Sequence, residues 1–207
     1  MIEGFRDIYK GQAIWIVGKG PSLQYLTKED VGSGPVITIN EAIIKIEELD
    51  LPNPIYSMQK DGGDRRRYFR SHPFILRPDC DYKSNCGDKC GNMYKPKKGA
   101  ILLVHKHESL YCFADYLPRY VFDWAKLGLK CNRFSLVIAI RIGILMGCKK
   151  FCFISFDVHT TGCLVSYIPN VGITETNPAF KNYTWKVKRY LKNLDYMWIT
   201  PKKRAAK

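Results

Sequence analysis

Short apolar runs alternate with segments of helical spacing along most of this chain. Continuous apolar runs, typical of strands buried on both faces, lie at 13–17, 35–40, 54–58, 100–104 and 151–156. Segments with helical spacing or many helix-forming residues lie at 23–29, 41–49, 133–146 and 185–194, and a last short strand at 196–200. Strands that alternate with helices predict a parallel sheet with right-handed crossovers. We therefore expect an α/β fold: one Rossmann-like domain over residues 1–207, with a mostly parallel sheet and helices on both faces.

Single residues at the ends of these segments add detail. Asn40 is expected to cap the helix at 41–49, because its side chain can accept from free amides of the first turn. Gly147 is expected to end the helix at 133–146. Cys148 and Cys152 flank or lie in an apolar strand, and we interpret them as small buried hydrophobic residues.

Residues 60–98 interrupt the alternation with a polar, basic segment rich in Gly, Pro, Asp and Cys. We interpret it as an insertion with little regular structure. His72, Cys80, Cys86 and Cys90 are spaced closely enough for one small loop to supply four tetrahedral ligands, so they predict a structural zinc site that orders the insertion. The alternative is three free cysteines in a flexible loop. His105 and His107 are rival fourth ligands.

The net charge of +14 is concentrated in residues 60–98 and 181–207. Such basic zones favour an anionic partner, which can be a nucleic acid, a nucleotide or an acidic surface. The arginines of 65–67, next to Tyr68 and Phe69, could pair with phosphates and stack on bases, or could form a solvated turn. The basic residues at 202–204 are more typical of a frayed, solubilising tail.

No apolar run approaches the roughly 18 residues that a membrane span needs. The first twelve residues are charged and lack the apolar core of a signal peptide. We therefore expect a soluble, cytosolic protein without a membrane span.

The first strand is followed by the turn Gly18-Lys19-Gly20-Pro21-Ser22 and then by a short helix. Glycines let the backbone approach a ligand closely, and a helix N-terminus presents free amides to an anion. Lys19 adds charge and Ser22 a hydroxyl donor. The turn is neither a full dinucleotide fingerprint nor a P-loop. We favour a nucleotide phosphate site here over a plain strand-to-helix turn.

Polar residues at two other strand ends are candidates for chemistry. Asp157 and His159 follow the strand at 151–156; a histidine can act as a general base, and a carboxylate can orient it or hold a divalent metal such as Mg²⁺ beside phosphates. The alternative is an ordinary polar loop. Asp61 follows the third strand and is a candidate contact to the nucleotide, a metal or a sugar hydroxyl, although a turn carboxylate is the simpler interpretation.

Three short stretches resemble a known group of proteins. They are 17–23 with its Gly-x-Gly-Pro-Ser turn, Ile39-Asn40 after the second strand, and Gly147 followed by the late strand ending at Ser155-Phe156-Asp157. The group comprises the 6-hydroxymethylpterin diphosphokinase-like proteins, the flagellin-glycosylating motility accessory factors and the bacterial sialyltransferases that use CMP-sialic acid. The chain looks most similar to phage-encoded relatives of unknown function, which would place it in a host cytoplasm.

The resemblance implies that Gly18, Gly20, Pro21 and Ser22 cradle nucleotide phosphates, that Asn40 contacts ribose or base, and that Asp157 lies at the active-site rim. Two features depart from the group. His159 follows Asp157 too closely to match the histidine general base of the sialyltransferases, and Ser155 stands where the group has glycine.

These observations predict a nucleotide-binding transferase, most simply a glycosyltransferase-like enzyme with a nucleotide-sugar donor. In that hypothesis Asp157 and His159 are the acid/base residues, and the basic insertion holds the acceptor. One alternative is diphosphate transfer to a small heterocyclic alcohol. The other is a non-catalytic protein on the same fold that binds nucleic acid through the basic insertion and the C-terminal helix.

Overall fold

Seven strands form one sheet in the computed structural model, which describes residues 2–59, 100–105, 119–122, 127–128, 134–169, 172–175 and 184–203. The strands of this sheet are β1 (Ala13–Val17), β2 (Val36–Ile39), β3 (Ile55–Gln59), β4 (Ile101–His105), β5 (Arg119–Phe122), β6 (Lys150–Ile154) and β9 (Asp195–Ile199). Two further strands, β7 (Val165–Ile168) and β8 (Gly172–Glu175), form a separate antiparallel hairpin. The helices are α1 (Ala42–Leu49), α2 (Ser135–Leu145), α3 (Asp157–Thr160) and α4 (Thr184–Leu191), with 3-10 helices at Ile2–Phe5, Pro21–Tyr25 and Lys28–Asp30.

The strand order is β5-β4-β3-β2-β1-β6-β9, and all six pairings in the large sheet are parallel. The chain runs outward from β1 to β5, returns to place β6 on the other side of β1, and then continues to β9. The order therefore reverses between β1 and β6. This arrangement confirms the predicted α/β class with its mostly parallel sheet.

Helices cover both faces of the sheet, as predicted. On one face, α2 packs against Ile14 and Phe151, and α4 adds Val187 and Leu191 to the same buried cluster. Gly143 lets α2 approach closely, because a Cβ there would lie 2.8 Å from the Phe151 ring and 3.0 Å from Ile14. On the other face, α1 and the 3-10 helix Pro21–Tyr25 bury a smaller cluster formed by Val17, Leu23, Leu26, Val36, Ala42, Ile46 and Ile154.

Several local predictions can be compared with these elements. Gly147 has φ +80° directly after Met146, the C-cap residue of α2, which confirms that the helix ends at this glycine. Cys148 and Cys152 are buried, as expected. The predicted short helix at 23–29 is wrong, because two 3-10 helices occupy that region. The insertion at 60–98 lies outside the described residues.

The predicted cap of α1 is also wrong. Glu41 is the N-cap residue of α1, and its side chain makes no capping hydrogen bond. Asn40 instead has φ +50°, a left-handed conformation that Asn tolerates better than most residues. Its backbone N–H donates to the Met58 carbonyl at 2.9 Å. Asn40 thus turns the chain out of β2 one residue before the N-cap position.

Among the described helices, none combines the length and the apolar character that a membrane crossing would require.

Candidate functional site

Three strand ends meet at one edge of the sheet. β1 lies between β2 and β6, and parallel strands place their carboxyl ends together. The glycine turn at 18–22 follows β1, Asn40 and Glu41 follow β2, and residues 155–157 follow β6. This edge is also where the strand order reverses, the position at which open α/β sheets bind their ligands.

The amides of the glycine turn are engaged by the end of β6. The Gly18 amide donates to the Ile154 carbonyl at 2.8 Å, and the Gly20 amide donates to the Ser155 carbonyl at 2.7 Å. Each of these donors already has an acceptor within the protein. A phosphate at this turn would therefore have to rely on other groups.

The same contacts explain why glycine is needed at both positions. A Cβ on Gly18 would lie 2.8 Å from the Ser155 carbonyl oxygen, and a Cβ on Gly20 would lie 2.5 Å from Asp157 Oδ2. The two glycines thus allow one strand end to pack directly against another. The sequence predicted a turn that a ligand approaches closely; the structure shows the protein's own backbone and side chains close to both glycines, and the phosphate site stays a prediction.

Asp157 connects β6 to the glycine turn through both of its carboxylate oxygens. The Ser22 amide donates to Oδ2 and the Ser22 hydroxyl donates to Oδ1, each at 2.7 Å. Asp157 is only 4% exposed, and its place at an active-site rim stays a prediction. It places a negative charge at the N-terminus of the 3-10 helix Pro21–Tyr25, as an anion at a helix start would. This geometry favours an anchoring role for Asp157.

Ser155 lies between these contacts, in a backbone conformation that few residues other than glycine adopt. It has φ +58° and is fully buried, and its amide donates to the Ile199 carbonyl at 3.0 Å. Among the residues that the structure describes, its hydroxyl Oγ has no hydrogen-bond partner. The left-handed backbone explains why the resembling proteins have glycine here. A buried hydroxyl without a partner is unfavourable in a structural residue, so it marks this edge as unusual.

Lys19 forms a partly buried ion pair with Glu41 across the ends of β1 and β2. Lys19 Nζ lies 2.5 Å from Glu41 Oε2, and the two side chains are only 16% and 7% exposed. The Lys19 carbonyl also accepts from the Tyr167 amide at 2.7 Å, which holds the β7–β8 hairpin against the turn. Sequence reasoning had not selected Glu41. An acidic residue at the end of the second strand, 22 positions after Lys19, was the signal that could have found it.

His159 lies in an aromatic environment. Its ring stacks on Trp198 of β9, with centroids 4.6 Å apart and planes within 11°, and meets Phe156 edge-on at 6.4 Å. Burial, and secondarily the positive charge of Lys188, lowers the pKa of His159 to about 4. The imidazole is therefore neutral at pH 7 and can accept a proton. Its side chain and the Asp157 carboxylate have different partners, and no hydrogen bond joins them within the described residues.

The low pKa of His159 predicts a loss of stability in mild acid. Its folded-state pKa, about 4, lies below the ordinary value of 6.5, so the unfolded chain binds more protons between these two pH values. The free energy of unfolding should be fully retained above pH 6.5 and should fall by roughly 2–3 kcal/mol as the pH decreases toward 4. Urea unfolding at a series of pH values measures this. The variant His159→Gln should lose this part of the pH dependence, and an identical profile in the variant would contradict the assignment.

The remaining predicted site residues lie outside the described residues. They are Asp61 and the four predicted zinc ligands His72, Cys80, Cys86 and Cys90, so the zinc site and the contacts of Asp61 stay predictions. Within the part of the chain that the structure describes, no cluster of three or more His, Cys, Asp or Glu side chains is placed to hold a metal ion.

No protein-family model and no curated protein matches the chain. Among solved structures, it is similar to the sialyltransferase CstII from Campylobacter jejuni, in complex with a substrate analogue, cytidine-5'-monophosphate, at 12% identity and a TM-score of 0.46, over 93% of this chain and 81% of that one. It is also similar to an alpha-2,3-sialyltransferase from Campylobacter jejuni in apo form, at 15% identity and a TM-score of 0.45, over 92% of this chain and 76% of that one. Likenesses at this level assign no ligand or reaction to the chain. Neither protein is a diphosphokinase or a phage protein.

Proposed function

We propose that the chain is a nucleotide-binding transferase that takes a nucleotide-sugar donor at the edge between β1 and β6. The observation that carries the proposal is the convergence of three polar strand ends at the point where the order of an all-parallel sheet reverses. The resemblance of the glycine turn, Asn40 and the end of β6 to nucleotide-sugar transferases supports the same donor class.

The contacts at this edge indicate a different role for each of its residues. Asp157 and Ser22 fix the glycine turn against β6, so they support the site from within. Lys19 is the cation of the turn and would stabilise the negative charge that develops on the nucleotide phosphate as it leaves. Asn40, held at the end of β2 by its left-handed backbone, would contact the nucleoside.

His159 would serve as the general base. In the transfer, the acceptor hydroxyl oxygen forms a bond to the anomeric carbon, the bond from that carbon to the phosphate oxygen breaks, and the nucleotide leaves with the electron pair. The hydroxyl proton must go to a base that is unprotonated at the working pH. His159 is such a base at pH 7, because its pKa is held at about 4. A base of this pKa stays available throughout the physiological range, although it is weaker than a histidine with an ordinary pKa.

A nucleotide panel tests the binding half of the proposal. Nucleotide monophosphates, diphosphates and nucleotide sugars of cytosine, uracil, guanine and adenine are each added to the full chain, and melting temperature and calorimetric affinity are measured. At least one of them should stabilise the protein by roughly 2.7 kcal/mol at a concentration of 100 times its Kd. The variant Lys19→Gln should weaken that binding, whereas Lys45→Gln, which removes an ion pair with Glu48 within α1, should not. A panel without any response would contradict the proposal.

Turnover tests the catalytic half. Release of free nucleotide from the nucleotide sugar that binds, with and without candidate hydroxyl acceptors, should be detectable in the wild type and should fall at least 100-fold in His159→Gln, because general base catalysis contributes about 10²–10⁴-fold. If a nucleotide sugar binds but no nucleotide is released, the chain is a nucleotide-binding protein and the proposed transferase activity is refuted.

A second candidate function rests on the surface of α4. Trp185 is 50% exposed, and Lys186 Nζ and Arg189 Cζ lie 5.6 and 5.1 Å from its ring centroid. An exposed aromatic ring flanked by cations can stack on a base while the cations contact phosphates. Binding of single-stranded DNA or RNA that weakens steeply with salt, and that is lost in Trp185→Ala, would favour this function. Salt-independent or undetectable binding would exclude it.

A further inference from the structure

The partly buried ion pair between Lys19 and Glu41 has no evident structural necessity. Removing two charges from water is unfavourable, and their attraction often only balances that penalty, so buried pairs add little net stability. Yet this pair lies at the open edge where three strands end, with Glu41 only 7% exposed and Lys19 16% exposed. This edge, where the strand order reverses, is where open α/β sheets bind their ligands, so the pair is placed to contact a bound molecule.

The Glu41 side chain does not cap the helix that begins beside it. It is the N-cap residue of α1, but its side chain makes no capping hydrogen bond. Its carboxylate instead contacts Lys19 in the glycine turn, through Oε2. Within the described part of the chain, no hydrogen bond engages Oε1. One oxygen is thus fixed by a cation while the other keeps its capacity to accept.

The location of Glu41 in the fold indicates what it can accept. In sheets that bind a nucleotide at the turn after the first strand, the ribose lies over the end of the second strand, where an acidic residue about 20 positions further on accepts from ribose hydroxyls. Glu41 follows Lys19 by 22 positions and stands directly at the end of β2. Ser155, whose fully buried Oγ has no hydrogen-bond partner within the described residues, follows β6 at the same edge, on the other side of β1.

We infer that Glu41 is the acceptor for the ribose hydroxyls of the bound nucleotide and that Lys19 orients its carboxylate for this purpose. The inference rests on the proposed nucleotide binding and makes it more specific. The site then takes ribonucleotides and rejects their deoxy counterparts, because a buried carboxylate that loses a hydroxyl donor is left incompletely solvated.

The inference is tested with ribonucleotides and deoxyribonucleotides on the full chain. The affinities of CMP, UMP, AMP and GMP and of their 2′-deoxy counterparts are measured by calorimetry. For the base that binds, the wild type should prefer the ribonucleotide by about 10-fold or more, since a hydrogen bond to a charged group is worth at least one factor of ten. In Glu41→Gln the preference should fall to about threefold or less. The control Glu48→Gln, on the exposed side of α1, should keep the wild-type preference.

The outcomes separate this inference from the function on which it rests. A nucleotide that binds with the same ribose preference in Glu41→Gln and in the wild type would overturn the role of Glu41 and leave the proposed function intact. Absence of binding to every nucleotide would overturn both. If Glu41→Gln does not fold, as judged by circular dichroism, Glu41→Asp replaces it, because this variant keeps the charge but shortens the side chain. An unchanged ribose preference in Glu41→Asp would overturn the inference. Equal affinities of the wild type for ribonucleotides and deoxyribonucleotides would overturn it as well.

Discussion

Gly20→Val should lower the free energy of unfolding by roughly 2–4 kcal/mol in the absence of any ligand. The added Cβ would lie 2.5 Å from Asp157 Oδ2, 2.6 Å from Asp157 Cγ and 2.7 Å from the Ser155 carbonyl oxygen. None of these atoms is the far end of a flexible chain, because Asp157 is held by Ser22 and the carbonyl belongs to the backbone. The turn and the end of β6 would have to separate. Urea unfolding followed by circular dichroism measures the loss.

The matched control is Gly4→Val. Gly4 is exposed, and a Cβ there would have nothing within 4 Å. Its substitution should change stability by about 0.5 kcal/mol or less. If Gly20→Val were as stable as the wild type and merely lost nucleotide binding, the glycine would be needed for a ligand, and the packing explanation would be refuted.

Asp157→Ala should also lower the free energy of unfolding, by roughly 2–4 kcal/mol. The substitution removes the acceptor of both the Ser22 amide and the Ser22 hydroxyl, and Ser22 itself is only 6% exposed. Two buried donors would then lack a partner. The 3-10 helix Pro21–Tyr25 would lose the negative charge at its start as well.

A double-mutant cycle can assign that loss to the contact itself. Ser22→Ala removes the hydroxyl donor, and the double variant Asp157→Ala with Ser22→Ala should be more stable than the sum of the single effects predicts, by about 1 kcal/mol or more. Asp195→Ala, at an exposed aspartate, serves as the control and should change little. Wild-type stability in Asp157→Ala would show that the carboxylate is not an anchor and would restore the catalytic interpretation.

The sequence predicted most of the large sheet because its strands are continuous apolar runs with clear ends. β1 was predicted residue for residue, and β2, β3 and β4 were predicted to within about one residue at their ends. β5 is only four residues long, and β7 and β8 mix polar and apolar positions and are stabilised by pairing with each other. Such strands leave no pattern of their own, which is why the prediction missed them.

At the candidate site, the sequence located the turn but not its partners. Ser22 and Asp157 are 135 residues apart, and no periodicity links them. The sequence predicted that positions 18 and 20 need glycine. The atoms that require it, the Ser155 carbonyl oxygen and the Asp157 carboxylate, were identified only from the packing of β1 against β6. The same holds for His159, because its pKa depends on burial and on the charge of Lys188, and both arise from the fold.

The parallel pairing of β1 with β6 has a consequence for how the protein is made. While the chain is being synthesised, β1 can find β2 early, but its other edge stays unpaired until the ribosome has translated β6, well over one hundred codons later. An apolar strand with a bare edge is a template for association with other chains. Folding that depends on such distant contacts is also slow. The nascent protein should therefore depend on chaperones until β6 emerges, and rapid expression should favour aggregates that slower synthesis or cooling relieves.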